Sequence, residues 1–524
     1  MNPRMSILSQ VKQQFIRNTF SGWFAQFSAA IVGFIMLPYN ISHLGKDVYG
    51  ISVVAVSAIA LLQFLSLGMR PALLRFFSQT IAKKDREEMI VLSSTSQLLL
   101  GGLGLAGCLI ILAGTPWFIR FYEIDPDHHL ETQCLLFCMG ITFFLQFHSI
   151  VFTNIVFASN RYDLVNLRSV FSSWLRLGAL FFLYSFFTPS LTLLGIALLF
   201  GGAYNYLTLF WFCFREHGRR VAFFSPKKVA LSRLPSVFAF SGYTMLNSIF
   251  FTASIQIPVM IIGKTLGKEM ATAFAPAVLI ATYLASVLGQ IASPLTPLAS
   301  RDTVKTGGKN IARWAIHMGQ LVACVGYGCI FMAIFFIPDV LRLWLGNDFV
   351  WTSSAVVVLI SGIVYASIQA VNYNLALGAS SIAPIAYSSV VMAILTSFGT
   401  LLGTMYWNWS LLEVALCITI VRILRNTFFL SWIYSKLFSY DYSDYFIKVY
   451  VKPVLPGLLT YLLVLVLRQF VFPISAGFVV LGMEIACIAF VYVIFTWYFG
   501  LGKEIKAAIF MVKKKHVAPS SSFE

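Results

Sequence analysis

Fourteen runs of the chain are apolar and long enough for a helix to cross a hydrocarbon core ~30 Å thick. They lie at residues 18–39, 49–69, 93–113, 133–157, 167–187, 190–212, 236–263, 272–298, 314–337, 352–377, 383–404, 408–435, 453–471 and 474–499. A backbone in hydrocarbon has no water to bond, so each run must satisfy its own N–H and C=O groups. The expected fold class is therefore an all-α polytopic membrane protein with 14 transmembrane helices. Composition agrees: 59% of residues are hydrophobic and 11% charged, with mean hydropathy +0.82. A water-soluble domain of this length would lack the polar surface to face solvent.

Orientation follows from where the cations fall. Of 37 Lys and Arg, 28 lie in segments on the side that holds both termini, six lie at or beyond the opposite ends of the runs, and three lie within runs. Cytoplasmic segments carry the basic excess, so the N- and C-termini are expected in the cytoplasm. The same excess accounts for the +17 net charge through anionic lipid rather than nucleic acid, and Lys513-Lys514-Lys515 reads as an anchor to such lipid. The N-terminus has no cleavable signal pattern. The connections are short, which leaves no room for a soluble catalytic domain, and GxxxxGK[ST] does not occur. No cofactor is expected. Eight cysteines lie in apolar runs without zinc-ligand spacing and read as small core residues. His128-His129 reads as part of a solvated acidic loop.

The chain repeats itself. Phe20-Ser21-Gly22-Trp23 returns as Phe240-Ser241-Gly242-Tyr243, Pro38 as Pro258, and Leu44-Gly45-Lys46 as Leu266-Gly267-Lys268. Leu67-Gly68 returns as Leu288-Gly289, Pro116 as Pro338, Asn154 as Asn374, and Leu209-x-Trp211 as Leu430-x-Trp432, every offset lying between 220 and 222. The period holds six spans, an even number, so both copies insert the same way up about an axis along the membrane normal. The expected organisation is an N-terminal lobe and basic linker over 1–235, a C-terminal lobe over 236–440, and two further spans with a basic tail over 441–524.

Charges inside the spans single out candidate functional residues. Arg422 and Arg425 lie midway along the twelfth run, at a spacing that puts them on one helix face. A charge there costs at least ~2.5–3.5 kcal/mol, which normally turns it toward a bundle interior or a watery cavity. The competing reading is a structural clamp. Pairing with Glu413 is ruled out along the helix, because nine residues separate it from Arg422 by ~13 Å. Arg176 in the fifth run either lines the same interior or reaches the interface. Arg70 and Arg75 end the second run, either as an ordinary basic flank or as a vestibule that gathers a phosphate. Pro38 and Pro258 occupy equivalent places in the first helix of each lobe, as static kinks or as hinges. Glu413 and Glu484 are candidate coupling-ion sites. Asn154, Asn166, Asn247, Gln369, Asn372 and Asn374 read mainly as helix-to-helix hydrogen bonds.

Leu44-Gly45-Lys46-Asp47-Val48-Tyr49-Gly50-Ile51, and the stretch from Ser66 to Phe76 with Leu67-Gly68-Met69-Arg70, carry a resemblance. With twelve repeat spans, two extra spans and a basic interior, the chain resembles the polysaccharide-transporter branch of the multidrug/oligosaccharidyl-lipid/polysaccharide exporter superfamily. Members of that branch are similar to O-antigen and exopolysaccharide flippases. The resemblance implies a non-enzymatic carrier that moves a polyprenyl-pyrophosphate-linked oligosaccharide across the cytoplasmic membrane by alternating access. It also implies glycan polymerases and chain-length regulators as partners. Competing readings are a flippase of the peptidoglycan lipid precursor, a multidrug exporter, and a membrane-embedded glycan polymerase or ligase. The positive interior argues against an exporter of cations, and the short external loops argue against the enzymes.

Overall fold

The computed structural model describes residues 3–63, 65, 69–230, 242–292, 295–306, 308, 310–379, 383–470 and 477–502, and among them it is helical without strands. The chain order is α1 (Pro3–Leu44), α2 (Lys46–Leu62), α3 (Met69–Lys83), α4 (Arg86–Phe121), α5 (His129–Ala158), α6 (Tyr162–Phe186) and α7 (Leu191–His217). It continues with α8 (Gly242–Thr265), α9 (Lys268–Ala292), α10 (Leu295–Thr306), α11 (Ile311–Leu345), α12 (Ser353–Ala379) and α13 (Ala383–Tyr406). Three more follow: α14 (Leu411–Phe438), α15 (Tyr442–Val466) and α16 (Phe478–Gly500). Among the described residues, 13 helices are long and apolar enough to cross a membrane. They match thirteen of the expected runs, and the remaining one holds α2. Residues 66–68, 240–241 and the 513–515 tail, used in the sequence reading, lie outside the described residues.

Local chemistry sets the helix ends. The Asp85 carboxylate accepts a hydrogen bond from Glu88 N at the start of α4, with Glu87 and Glu88 favourably placed in its first turn. Ser190 caps α7, and the Glu131 carboxylate of α5 accepts from Leu191 N at 3.2 Å. Repeat-matched residues take matched local roles. Gly45 and Gly267, at φ 78° and 100°, lead into α2 and α9. Pro38 and Pro258 lie inside α1 and α8, and Pro116 and Pro338 inside α4 and α11. Asn154 and Asn374 each donate to the carbonyl four residues back, at 2.8 and 2.7 Å.

The chain falls into two compact units. The first comprises Met1–Ala275 and Ser389–Trp407. In it α5 packs between α4 and α7, and α6 packs on both α1 and α7. The second comprises Pro276–Ser388 and Asn408–Glu524. In it α12 packs on α11, α14 and α10, while α16 packs on α11 and α15. This partition follows packing, whereas the expected lobes follow the internal repeat, and the first unit takes in α8 of the second repeat.

Within the first unit, α2 and the connection from α4 to α5 meet the end of α8 and the start of α9 closely. Lys268 Nζ stands 3.3 Å from Asp47 and 3.8 Å from Asp125, Lys264 Nζ donates to Glu123 at 2.7 Å, and Thr272 Oγ1 donates to the Lys46 carbonyl at 2.7 Å. The Lys264 hydrogen bond and charge, with Lys268 nearby, hold the exposed Glu123 carboxyl below its usual range. Gly50 makes this approach possible, since a Cβ there would stand 2.1 Å from the Lys268 carbonyl oxygen.

Candidate functional site

The two arginines of α14 lie where that helix changes character. Residues 424–430 form a π-helical segment between two α-helical stretches. A π turn is wider than an α turn and is common at functional positions. It is held by side chains: Asn426 Nδ2 donates to the Arg422 carbonyl at 2.7 Å, and the Asn426 carbonyl accepts from Ser431 Oγ at 3.1 Å and Tyr450 O–H at 3.4 Å. The Asn426 side chain and Ser431 thus take up backbone acceptors that the widened turn leaves to be satisfied. The segment separates the surroundings of the two guanidinium groups. Arg422 is fully buried, at 0% exposure. Arg425 is half-buried and donates through Nε to Ser388 Oγ at 3.0 Å, through one terminal nitrogen to Asn426 Oδ1 at 3.3 Å, and through the other to the Ile385 carbonyl at 3.3 Å. Arg425 thus clamps α14 to α13.

A polar network extends from this point. Gln369 Nε2 donates to Ser431 Oγ at 2.6 Å and to the Tyr450 hydroxyl at 2.7 Å. Asn372 Nδ2 donates to Gln369 Oε1 at 2.9 Å and to the Tyr445 hydroxyl at 2.8 Å. These bonds tie α12, α14 and α15, as the sequence reading of Gln369 and Asn372 expected. Asn166 and Asn247 likewise cross between helices, to Ser21 at 2.9 Å and Ser389 at 2.6 Å.

Glu413 stands in the first turn of α14. It forms a capping box with Ser410 at the start of α14, its carboxylate accepting from Ser410 N at 2.8 Å and from the Ser410 hydroxyl. A carboxylate so engaged serves as a helix cap. Glu484 is 5% exposed. It shares a face of α16 with Leu481 and Ile488, which pack in one cluster with Phe335 and Phe336 of α11.

The other candidate arginines, Arg176, Arg70 and Arg75, belong to the first unit. Arg176 is half-buried on α6 where Gly201 admits a close approach of α7, with Ser172 Oγ donating to the Gly201 carbonyl at 2.8 Å. Arg70 and Arg75 are exposed near the start of α3. Arg70 lines a cavity of about 510 Å³. The lining also takes in one face of α5, from Gln146 through Ser149 and Thr153–Asn154 to Phe157, with Ser169 of α6 and Asn205 of α7. These α5 positions are three and four residues apart and therefore stack on one side of the helix. Sequence reasoning marked Arg70 and Asn154 but missed the rest of the lining. The available signal was a polar stripe at helical spacing within an otherwise apolar run.

Residues 15–301, just over half of the chain, match the model of the family described as polysaccharide biosynthesis protein. No curated protein matches the chain. Among solved structures, the chain is similar to one described as the lipid II flippase MurJ in an inward closed conformation, at 12% identity and TM-score 0.69 over 91% of this chain and 97% of that one. It is also similar to an inward-facing multidrug resistance MATE family transporter of the MOP superfamily, at 13% identity and TM-score 0.65 over 80% of this chain and 98% of that one. A MATE structure in complex with MaD3S is similar at 14% identity and TM-score 0.60, over 83% and 96% of the two chains. These likenesses establish a fold shared with the MurJ and MATE structures.

Proposed function

The chain belongs to the polysaccharide biosynthesis protein family, and from that premise we propose that it is a flippase for a polyprenyl-pyrophosphate-linked oligosaccharide. It carries an O-antigen or exopolysaccharide repeat unit from the cytoplasmic to the periplasmic leaflet of the inner membrane, with both termini cytoplasmic. The observation that carries this reading is a pair of arginines, Arg422 and Arg425, set within one membrane-length helix of a family member. A pyrophosphate is a strong anion, and guanidinium groups bind phosphate oxygens with bidentate, charge-assisted hydrogen bonds.

In this reading Arg70 and Arg75 gather the headgroup at the cytoplasmic side, and Arg422, Arg425 and Arg176 meet it during passage. Arg422 is fully buried, so it reaches an anion only when α14 or its neighbours shift. That is the differential contact by which a substrate biases one state over another. Pro38 and Pro258 supply the hinges. The contacts of Lys268 and Lys264 with Asp47, Asp125 and Glu123 join the two repeats on the periplasmic side and separate when that side opens. Glu413 and Glu484 are the coupling-ion candidates. The polyprenyl tail stays in lipid while the headgroup crosses, and glycan polymerases and chain-length regulators act on the product.

The test is reconstitution of the full chain in liposomes with a short-chain, fluorescently tagged polyprenyl-pyrophosphate oligosaccharide, read by a membrane-impermeant quencher. Transbilayer movement is expected for the wild type, loss for Arg422→Ala, and part of the activity for Arg422→Lys, which keeps the charge without the fork. Full movement in Arg422→Ala at equal protein would remove that residue from the mechanism. A second reading, a flippase of the peptidoglycan lipid precursor, is favoured by the likeness to the MurJ structure over 91% of the chain. Running the same assay with that precursor separates the two.

A further inference from the structure

The cavity beside Arg70 has a chemistry that a phosphate site alone does not require. One cation, Arg70, is among the lining residues. Most of the remaining polar lining is neutral: the amides of Gln146, Asn154 and Asn205 and the hydroxyls of Thr153 and Ser169. An amide both donates and accepts, and so does a sugar hydroxyl, whereas a phosphate only accepts. Thr153 and Asn154 spend a donor on the α5 backbone, bonding Ser149 O at 2.9 Å and Ile150 O at 2.8 Å. Their oxygens remain as acceptors. The side chains of Arg70, Gln146, Ser169 and Asn205 make no hydrogen bond within the described residues and are available as they stand. The volume, about 510 Å³, lies in the range of small-ligand sites, ~300–1,000 Å³. Apolar side chains of Leu74, Ile150 and Phe157 lie among the polar ones, as a sugar ring with polar edges and C–H faces would need.

We infer that this cavity is a glycan-recognition subsite, in which Gln146, Asn154, Asn205, Thr153 and Ser169 hydrogen-bond the hydroxyl or amide groups of a sugar whose neighbouring anionic group pairs with Arg70. The inference rests on the reading of the chain as a carrier of a lipid-linked glycan, and it assigns selectivity for the sugar to the four helices α3, α5, α6 and α7 of the first unit. It places that selectivity apart from Arg422 and Arg425, which stand in the second unit.

The test uses the full chain in liposomes with two probes, a tagged polyprenyl-pyrophosphate oligosaccharide and the same polyprenyl pyrophosphate without sugar. Alkylation of Asn205→Cys by a maleimide is followed by mass spectrometry of that peptide, so that native cysteines do not interfere. The sugar-bearing probe is expected to slow alkylation several-fold and the sugar-free probe to leave it unchanged. In parallel, the double variant Gln146→Ala/Asn205→Ala is expected to weaken binding of the sugar-bearing probe about tenfold, as loss of one or two hydrogen bonds would, while binding of the sugar-free probe stays constant. Equal protection by both probes overturns the inference, because the cavity then holds phosphate or tail. Protection by neither, in protein that still flips the tagged lipid, overturns it too. Protection by the sugar-bearing probe in a chain that flips nothing supports the subsite and removes the flippase reading instead.

Discussion

A carboxyl group on the buried face of a membrane helix is the side chain most exposed to challenge by a single substitution. Glu484 is such a group, at 5% exposure between Leu481 and Ile488 on α16. Glutamine has nearly the same shape and hydrogen-bonding capacity but cannot gain or lose a proton. If Glu484 couples transport to a proton gradient, Glu484→Gln leaves the protein folded and able to equilibrate substrate, while a gradient no longer accelerates transport. Flip rates measured with and without an imposed pH gradient check this, and a retained gradient response would take the coupling role away from residue 484. The two carboxylates considered for coupling could not be told apart by sequence. Both stand in apolar runs, and only the structure shows one capping a helix and the other buried on α16. The same holds for Arg422 and Arg425, three residues apart in a straight-helix reading and given different surroundings by the π-helical segment at 424–430.

Between elements, the decisive contact is the one that Gly50 permits. A Cβ at position 50 would stand 2.1 Å from the Lys268 carbonyl oxygen and 2.6 Å from its carbonyl carbon, backbone atoms that cannot swing aside as a side chain would. Gly50→Ala is therefore expected to push the start of α9 away from α2 and to weaken the contacts of Lys268 with Asp47 and of Thr272 with the Lys46 carbonyl. The helix itself loses nothing, since alanine favours a helix by ~1 kcal/mol over glycine. The readout is alkylation of Thr272→Cys, faster in the Gly50→Ala background than alone, with the thermal midpoint as a control on global folding. An unchanged alkylation rate would mean that the helices repack around the added methyl. The Leu-Gly-Lys element was legible as a repeated motif, but its use was not. Leu44-Gly45-Lys46 and Leu266-Gly267-Lys268 read as two copies of one turn, whereas the structure sets Asp47 and the Lys46 carbonyl of the first copy against Lys268 and Thr272 beside the second.

For the whole molecule, the repeat makes a prediction that neither half makes alone. Pro38 and Pro258 sit at matched places in α1 and α8. A proline inside a helix costs ~3 kcal/mol or more relative to a residue that completes the ladder. If these prolines are hinges, Pro38→Ala and Pro258→Ala keep or raise thermal stability while each slows flipping to a similar degree. If they are static kinks that the packing needs, stability and flipping fall together. Thermal unfolding and liposome flipping of the two variants decide between these outcomes.

Membrane insertion, the helical class, the number of spans to within the break after α2, and the two-fold internal repeat were all determined by the sequence. The reason is that the bilayer acts on the chain locally: each run must be apolar and satisfy its own backbone, whatever its neighbours do. The tertiary structure decided what each buried polar group faces. Hydrophobic periodicity cannot report whether Arg425 meets Ser388 and the Ile385 carbonyl or a watery channel. Nor can it report that Gln146, Asn205 and Ser169, on three helices and up to 59 residues apart in the chain, border one cavity with Arg70. Those relations depend on how helices rotate against one another. That rotation is set by glycines such as Gly50 and Gly201 and by hydrogen bonds between helices, whose partners lie far apart in sequence.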